Sequence, residues 1–409
     1  MPDLSVEIAG VDFKNPIVAS SCPPTKDARR AKRAIRAGCG GIVMKSVTVD
    51  PWFTKYPYPW LKLLHWERRK EEPRWTPKHF AFYSRGLMFT PDQLTPHITE
   101  TRGAAREAGC VLIGSIMGYT LEDWANLAQT MDEEVEVDMV ECNLGCPHPQ
   151  EWTGEAGGKL AGSNPRIAGE VIKSVREKCS VPVIAKLTPE TGDMVAVAEA
   201  VRGAGADAVT VMNRFLGLKI NIETGMPELG GFAGIGGPWM KPLTLRWISK
   251  IAQSVGIPIL GNNGAMNGKD AVEFMMAGAR AVQFCTTILV NGYGVIGKIK
   301  DEISEFMERM GYGAVDEFIG VALKHVVEYR DIDKLPVLVA EVMGEKCDGC
   351  ARCVSSCFYD AIKIIDKKAT VEPESCVGCR YCEQLCPHEA ISMRVGEREN
   401  YLRALEPKM

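Results

Sequence analysis

The stretch "CVGCRYCEQLCPHEAI", residues 376–391, sets four cysteines at C-x2-C-x2-C-x3-C spacing and a proline after the last. A second stretch, "CDGCARCVSSCFYDAI" at 347–362, repeats that spacing. Two such runs hold two 4Fe–4S cubes: three thiolates of each run bind one cube, and the fourth crosses to the other. Cys347, Cys350, Cys353 and Cys386 are therefore expected to hold one cluster, and Cys376, Cys379, Cys382 and Cys357 the other. The rival reading, two structural zinc sites, fits poorly, because zinc prefers paired C-x2-C knuckles separated by a longer loop. Phe358 stands where a proline often follows the first run, which changes a turn and removes no ligand.

Eight of the 15 cysteines lie in these two runs; the others are scattered through the first three hundred residues. That distribution is unlike a secreted disulfide scaffold and fits small buried thiols in a reducing compartment. The formal net charge is -4, which does not favour nucleic acid. No apolar run of about 18 residues exists to span a membrane. The opening "MPDLSVEIAGVDF" lacks a basic, apolar leader, so the cytoplasm is the expected compartment. A one-electron relay needs a site that gives or takes electrons, and the remainder of the chain must contain it.

That remainder alternates strand and helix. Eight β-rich runs appear: "PIVASS", "GGIVMKSV", "VLIGSIM", "VDMVECNLG", "PVIAKL", "AVTVM", "PILGN" and "AVQFC". Helical stretches such as "DARRAKRAIRAG" and "GKDAVEFMMAG" separate them. The pattern predicts an α/β protein: a (β/α)8 TIM barrel over residues 1–312, preceded by a hairpin turning at Gly10. A doubly wound sheet is the alternative, but no G-x-G-x-x-G follows the first strand. Residues 313–340 read as a connecting helical segment, 341–395 as an α+β ferredoxin-like domain, and 396–409 as a tail. Long connections after the second and sixth strands fall at the C-terminal mouth, where barrels build active sites.

Polar residues at strand ends mark that mouth: Lys45, Asn143, Lys186 and Asn213. Glycines cluster after strands six and seven, in "AGIGG" and "GNNGA", and "CTT" follows strand eight. Glycine loops let backbone N–H groups approach a phosphate. A phosphate cradle with two lysines and two amides suits flavin mononucleotide (FMN), which also converts two-electron chemistry into the single electrons that clusters carry.

"NLGCPHP" resembles the N-L-S-C-P-[NH] signature of class 1 dihydroorotate dehydrogenases and dihydropyrimidine dehydrogenases. "MKSV", "AKLTP", "ILGNNGA" and "VQFCTT" match further motifs of that family in order, and the barrel-plus-ferredoxin plan resembles its bacterial iron–sulfur subunits. The resemblance implies an oxidoreductase acting on CH–CH groups, with Cys146 exchanging a proton with the substrate. It implies FMN contacts from Ala19, Ser20, Lys45, Ser46, Asn143, Lys186 and Asn213. The phosphate would rest on Gly236, Gly237, Asn263, Gly264, Cys285 and Thr286. Asn143 and Asn213 would also bind substrate, and the loop holding His148 would close over it.

Departures concern the substrate. Pyrimidine-reducing relatives carry an Asn-x-Glu pair where "YSRG" has Ser84 and Gly86, and threonine where this chain has Arg214. Trp52, Tyr56, Tyr58, Trp60 and Trp66 enrich the same loop. These changes point away from a pyrimidine, toward a larger cyclic acid or thioester meeting Arg214 or Arg85. A non-catalytic electron-transfer subunit is the remaining alternative, and retained Cys146 and Asn143 oppose it. The resemblance further implies an electron partner, either an NAD(P)H-dependent flavoprotein subunit or a ferredoxin, in a homodimer or hetero-oligomer.

Overall fold

In the computed structural model, residues 2–50, 61–65, 80–84, 87–146, 156–327, 332 and 335–405 are described. The chain divides into two units, Met1–Lys324 and His325–Met409. Eight parallel strands build the first: β1 (Ile17–Ala19), β2 (Gly41–Val43), β3 (Val111–Met117), β4 (Met139–Asn143), β5 (Val183–Lys186), β6 (Ala208–Val211), β7 (Ile259–Asn262) and β8 (Ala281–Phe284). Each pairs with the next, and β8 pairs with β1, which closes a (β/α)8 barrel. These are the eight runs read from the sequence, and closure excludes the doubly wound sheet.

The outer helices begin where side chains can accept their first N–H groups. Asp27, Asn164, Asp193 and Asn267 cap the helices Ala28–Arg36, Pro165–Arg176, Met194–Gly203 and Gly268–Met276. Each turns an apolar stripe inward; in Pro165–Arg176 it is Ala168, Val171, Ile172 and Val175. Among the described residues no helix is long and apolar enough to cross a membrane.

The bottom of the barrel is plugged. Val6–Ile8 and Val11–Phe13 form the expected antiparallel hairpin, turning through Ala9 and Gly10, both at positive φ. Val6, Ile8 and Phe13 pack on the lower inward side chains Val18, Val43, Ile113, Met139, Ile184, Ala208, Leu260 and Ala281. Asn15 ties the hairpin to the barrel: its Nδ2 donates to Gly38 O at 2.9 Å and its Oδ1 accepts from Ile17 N at 3.1 Å. Side chains alternate across a strand, so the residues two further on also point inward. They are Ser20, Lys45, Ser115, Glu141, Lys186, Thr210, Asn262 and Gln283. Every strand thus changes from apolar to polar as it rises toward the mouth.

The two long connections meet over that mouth. Leu61–His65, Phe80–Ser84, Ala233–Gly236 and Phe215–Gly217 form one antiparallel sheet in that spatial order. The sequence reading placed both loops at the mouth but foresaw no pairing between them.

In the second unit Leu338–Val342 pairs with Ile391–Val395, and Ile362–Ile365 with Lys368–Val371. The fold repeats itself. Gly349 and Gly378, Ala351 and Arg380, and Asp360 and Glu389 all have positive φ and stand at equivalent places around the two cysteine runs. The unit is α+β, as expected, but the expected boundaries shift. Val315 and Phe318 are fully buried in the barrel's core, so the barrel unit runs past 312. Within 313–340 the described residues hold 3-10 turns at Val315–Glu317 and Leu323–His325, and Leu338–Val342 is a strand of the second unit. The expected tail carries a helix, Arg398–Leu405.

A Cβ on Gly40 would meet Asn15 O at 2.0 Å, whereas one on Gly103, inside the helix Pro91–Glu107, would meet nothing within 4 Å. Gly40→Ala should therefore destabilise the barrel by about 1–3 kcal/mol. Gly103→Ala should be neutral or stabilise it by about 0.5–1 kcal/mol. Urea unfolding of the two variants, followed by tryptophan fluorescence, checks the contrast.

Candidate active site

The upper inward side chains form one connected network. Lys186 Nζ donates to Glu141 Oε1 at 3.2 Å and to Gln283 Oε1 at 3.3 Å. Glu141 Oε2 accepts from Gln283 Nε2 at 2.6 Å and from Thr210 Oγ1 at 2.9 Å. Ser20 Oγ donates to Gln283 Oε1 at 3.1 Å. All five residues are buried, and Glu141 is wholly so. Burying these groups is tolerable because each has a partner.

Just above, Asn213 Nδ2 donates to Asn143 Oδ1 at 2.9 Å, and Asn143 Nδ2 to Ser46 Oγ at 3.4 Å. Ser46 Oγ also lies 2.8 Å from Ser115 Oγ. Gly145 makes the amide pair possible, because a Cβ there would stand 2.8 Å from Asn213 Cβ. Asn263, at positive φ, donates from Nδ2 to Asn213 O at 3.1 Å and accepts Gly237 N at 3.1 Å. Gly236, Gly237 and Gly264 therefore gather around one asparagine. A Cβ on Gly236 would meet Asn263 Oδ1 at 2.9 Å, and one on Gly264 would meet the Lys241 backbone at 2.6 Å.

Cys146, nearly buried, follows β4 by three residues. Lys45 and Arg214 both interact electrostatically with it. Burial, reinforced by the Arg214 charge, brings the Lys45 ammonium down to about 8. Burial also lowers the Arg214 pKa, against the pull of Cys285, Cys146 and Cys22. Cys285 is held below the usual thiol range, first by a hydrogen bond with Cys22; burial pushes Cys22 well above it. The Arg214 side chain lies on Gly234: NH1 donates to Gly234 O at 3.4 Å, and a Cβ there would stand 2.6 Å from its Cζ. Gly234 pairs with Ser84 in the sheet over the mouth.

The structure thus brings together most residues expected at the site. Ala19 ends β1, and Thr286 opens the short helix Thr286–Asn291 beyond Cys285. Trp52, Tyr56, Tyr58, Trp60, Trp66, Arg85, Gly86 and His148 lie outside the described residues. Sequence reasoning missed Glu141, Thr210, Gln283 and Cys22. A usable signal existed for two of them: a charge and an amide inside the apolar strands "MVECN" and "AVQF".

The second unit gathers the eight cysteines at two cavities. Cys347, Cys350, Cys353 and Cys386 line one. Cys357, Cys376, Cys379 and Cys382 line the other. Each set takes its fourth cysteine from the opposite run. Backbone N–H groups of Ala369, Ala340 and Ala390 point at Cys347, Cys376 and Cys386 Sγ, at 3.4, 3.5 and 3.3 Å. Burial pushes the Cys382 thiol up to about 11, so a bound metal's charge must displace that proton. Two cavities with four converging sulfurs fit two cubes. The glycine cradle, buried lysine and amides of the barrel fit a flavin phosphate and ring.

A barrel with this mouth, and a unit with these eight sulfurs, define a flavin-dependent iron–sulfur oxidoreductase. The dihydroorotate dehydrogenase family profile matches residues 79–307, and the 4Fe–4S dicluster domain profile matches residues 340–393. The NAD-dependent dihydropyrimidine dehydrogenase subunit PreA of Escherichia coli K12 is 29% identical over 374 residues, covering 87% of this chain and 85% of that protein. The dihydroorotate dehydrogenase B (NAD(+)) catalytic subunit of Pyrococcus abyssi is 33% identical over 334 residues, covering 78% and 99%. That of Methanocaldococcus jannaschii is 30% identical over 322 residues, covering 78% and 98%. The chain belongs to the dihydroorotate dehydrogenase family and carries an added 4Fe–4S dicluster domain. It is an oxidoreductase acting on CH–CH groups, with FMN and two 4Fe–4S clusters as cofactors.

The cavity linings decide what cysteine removal should do. Cys386→Ala should damage the cluster of the first run, and Cys357→Ala that of the second. Iron analysis and electron paramagnetic resonance of anaerobic protein should show one cluster lost and the other kept.

Proposed function

We propose that this chain reduces or forms a C=C bond in a cyclic, anionic substrate other than a pyrimidine. The observation that carries this reading is the convergence of Cys146, the Asn143–Asn213 amide pair, Lys45 and Arg214 at one barrel mouth. The reaction moves a hydride at one carbon and a proton at its neighbour. Bound FMN supplies the hydride exchange and single-electron transfer to the clusters. Cys146 gives or takes the proton. Asn143 and Asn213 orient the substrate ring. Lys45 and Lys186 place positive charge at the flavin's ring and ribityl side, with Ala19, Ser20 and Ser46 lining the same wall. Gly236, Gly237, Asn263, Gly264, Cys285 and Thr286 hold the phosphate.

Arg214 favours the anionic substrate, since its planar fork matches a carboxylate or phosphate. With Ser84 and Gly86 in place of an Asn-x-Glu pair, a pyrimidine's polar edge would keep unpaired groups, at about 1–3 kcal/mol each. The electrons pass to or from a separate NAD(P)H-dependent flavoprotein or a ferredoxin, in the cytoplasm. The relatives' designations as subunits support a hetero-oligomer.

Cys146→Ala should keep FMN yet slow flavin reduction or reoxidation by substrate by about 10²-fold, the usual scale for a lost general acid. Near-normal turnover would move the proton to another group. Anaerobic assays with uracil, thymine and a panel of cyclic enoyl acids test the substrate. Activity should favour the acids, and Arg214→Thr should lower it. Uracil turnover by the unaltered protein at ~1–10 per second would return the chain to pyrimidine chemistry.

A further inference from the structure

Glu141 is the one acidic side chain in the buried polar layer among the described residues, and nothing in the proton chemistry above uses it. Its carboxylate contacts Lys186 Nζ at 3.2 Å through one oxygen and is clamped by Gln283 and Thr210 through the other. The layer draws on four strands: β4, β5, β6 and β8. Stranding one member of a buried ion pair is strongly destabilising, and a pair of apolar residues would fill the same space at less cost. A feature that costs stability and sits directly beneath the mouth calls for a functional account.

We propose that Glu141 is a positioning residue for the flavin: it fixes the Lys186 ammonium beneath the ring and sets how much of that positive charge the ring feels. The inference rests on the proposed FMN site. The carboxylate at 3.2 Å offsets most of the Lys186 field, and the Gln283–Thr210 clamp keeps the offset constant by denying the carboxylate another rotamer. Removing the carboxylate charge exposes the ring to the full cation, which stabilises added electrons.

The test is an anaerobic potentiometric titration of the holoenzyme, read in the flavin absorbance after subtraction of the cluster spectrum. Glu141→Gln should favour the reduced flavin by about tenfold, a rise of ~30 mV for a two-electron couple. Glu141→Asp retains the charge and should stay within about threefold of the unaltered protein, ~15 mV on the same scale. The pair Glu141→Gln/Lys186→Gln strands no charge, so it serves if the single variant does not fold. Because most of the Lys186 field is already offset, it should stay within about threefold of the unaltered protein, ~15 mV. An unchanged potential in Glu141→Gln, or a tenfold shift in the pair, overturns the proposal; so does an equal shift in Glu141→Asp and Glu141→Gln, which would mark a structural effect. Absence of FMN from the unaltered protein would instead refute the cofactor site itself.

Discussion

The structure depends on how a closed barrel fills its interior. Eight strands leave no channel, so inward side chains must pack in layers. Here the lower layer is apolar and continuous with the N-terminal hairpin, which seals the base. The next layer is polar and knitted by Glu141, Lys186, Thr210, Gln283 and Ser20. Above it come the Asn143–Asn213 amide pair and the glycines around Asn263. Rigidity below allows precise placement above: a side chain at the mouth inherits the fixed register of eight paired strands.

The second unit solves a different problem. It is too small to form a large core, and its few buried residues include the cysteines Cys353 and Cys382. Metal centres held by those thiols would add to its stability, since metal binding couples to folding. The internal repeat accounts for the crossed grouping of the sulfurs. Two equivalent halves each bring three sulfurs to one cavity and project the fourth to the other.

The sheet over the mouth is built separately from the barrel wall. Its strands come from the loops after β2 and β6 and leave the barrel strands undisturbed. Arg214 lies against Gly234 in that sheet, whereas Lys186, Asn143 and Cys146 belong to the barrel. Changes in these loops can therefore alter the mouth's cover without disturbing the register of the barrel strands.

Much of this was legible in the chain itself. Cysteine spacing specifies ligation because thiolate geometry around a cube is demanding and local. Short β-branched runs at regular intervals specify a barrel, and Ala9-Gly10 specifies a turn, because both are properties of a few neighbouring residues. The strand-end residues Lys45, Asn143, Lys186 and Asn213 stood out for the same reason. The Glu141–Lys186–Gln283 network did not, because a lone polar residue within an apolar strand gives no sign of its partners on other strands. The sheet over the mouth was equally hidden: Phe80–Ser84 and Ala233–Gly236 are far apart in sequence and carry no shared local signal. By itself the sequence determined the barrel strands, their order and the two repeated cysteine runs; only tertiary structure decided which buried charges meet and which loops pair, because long-range pairing is settled by closure of the whole barrel.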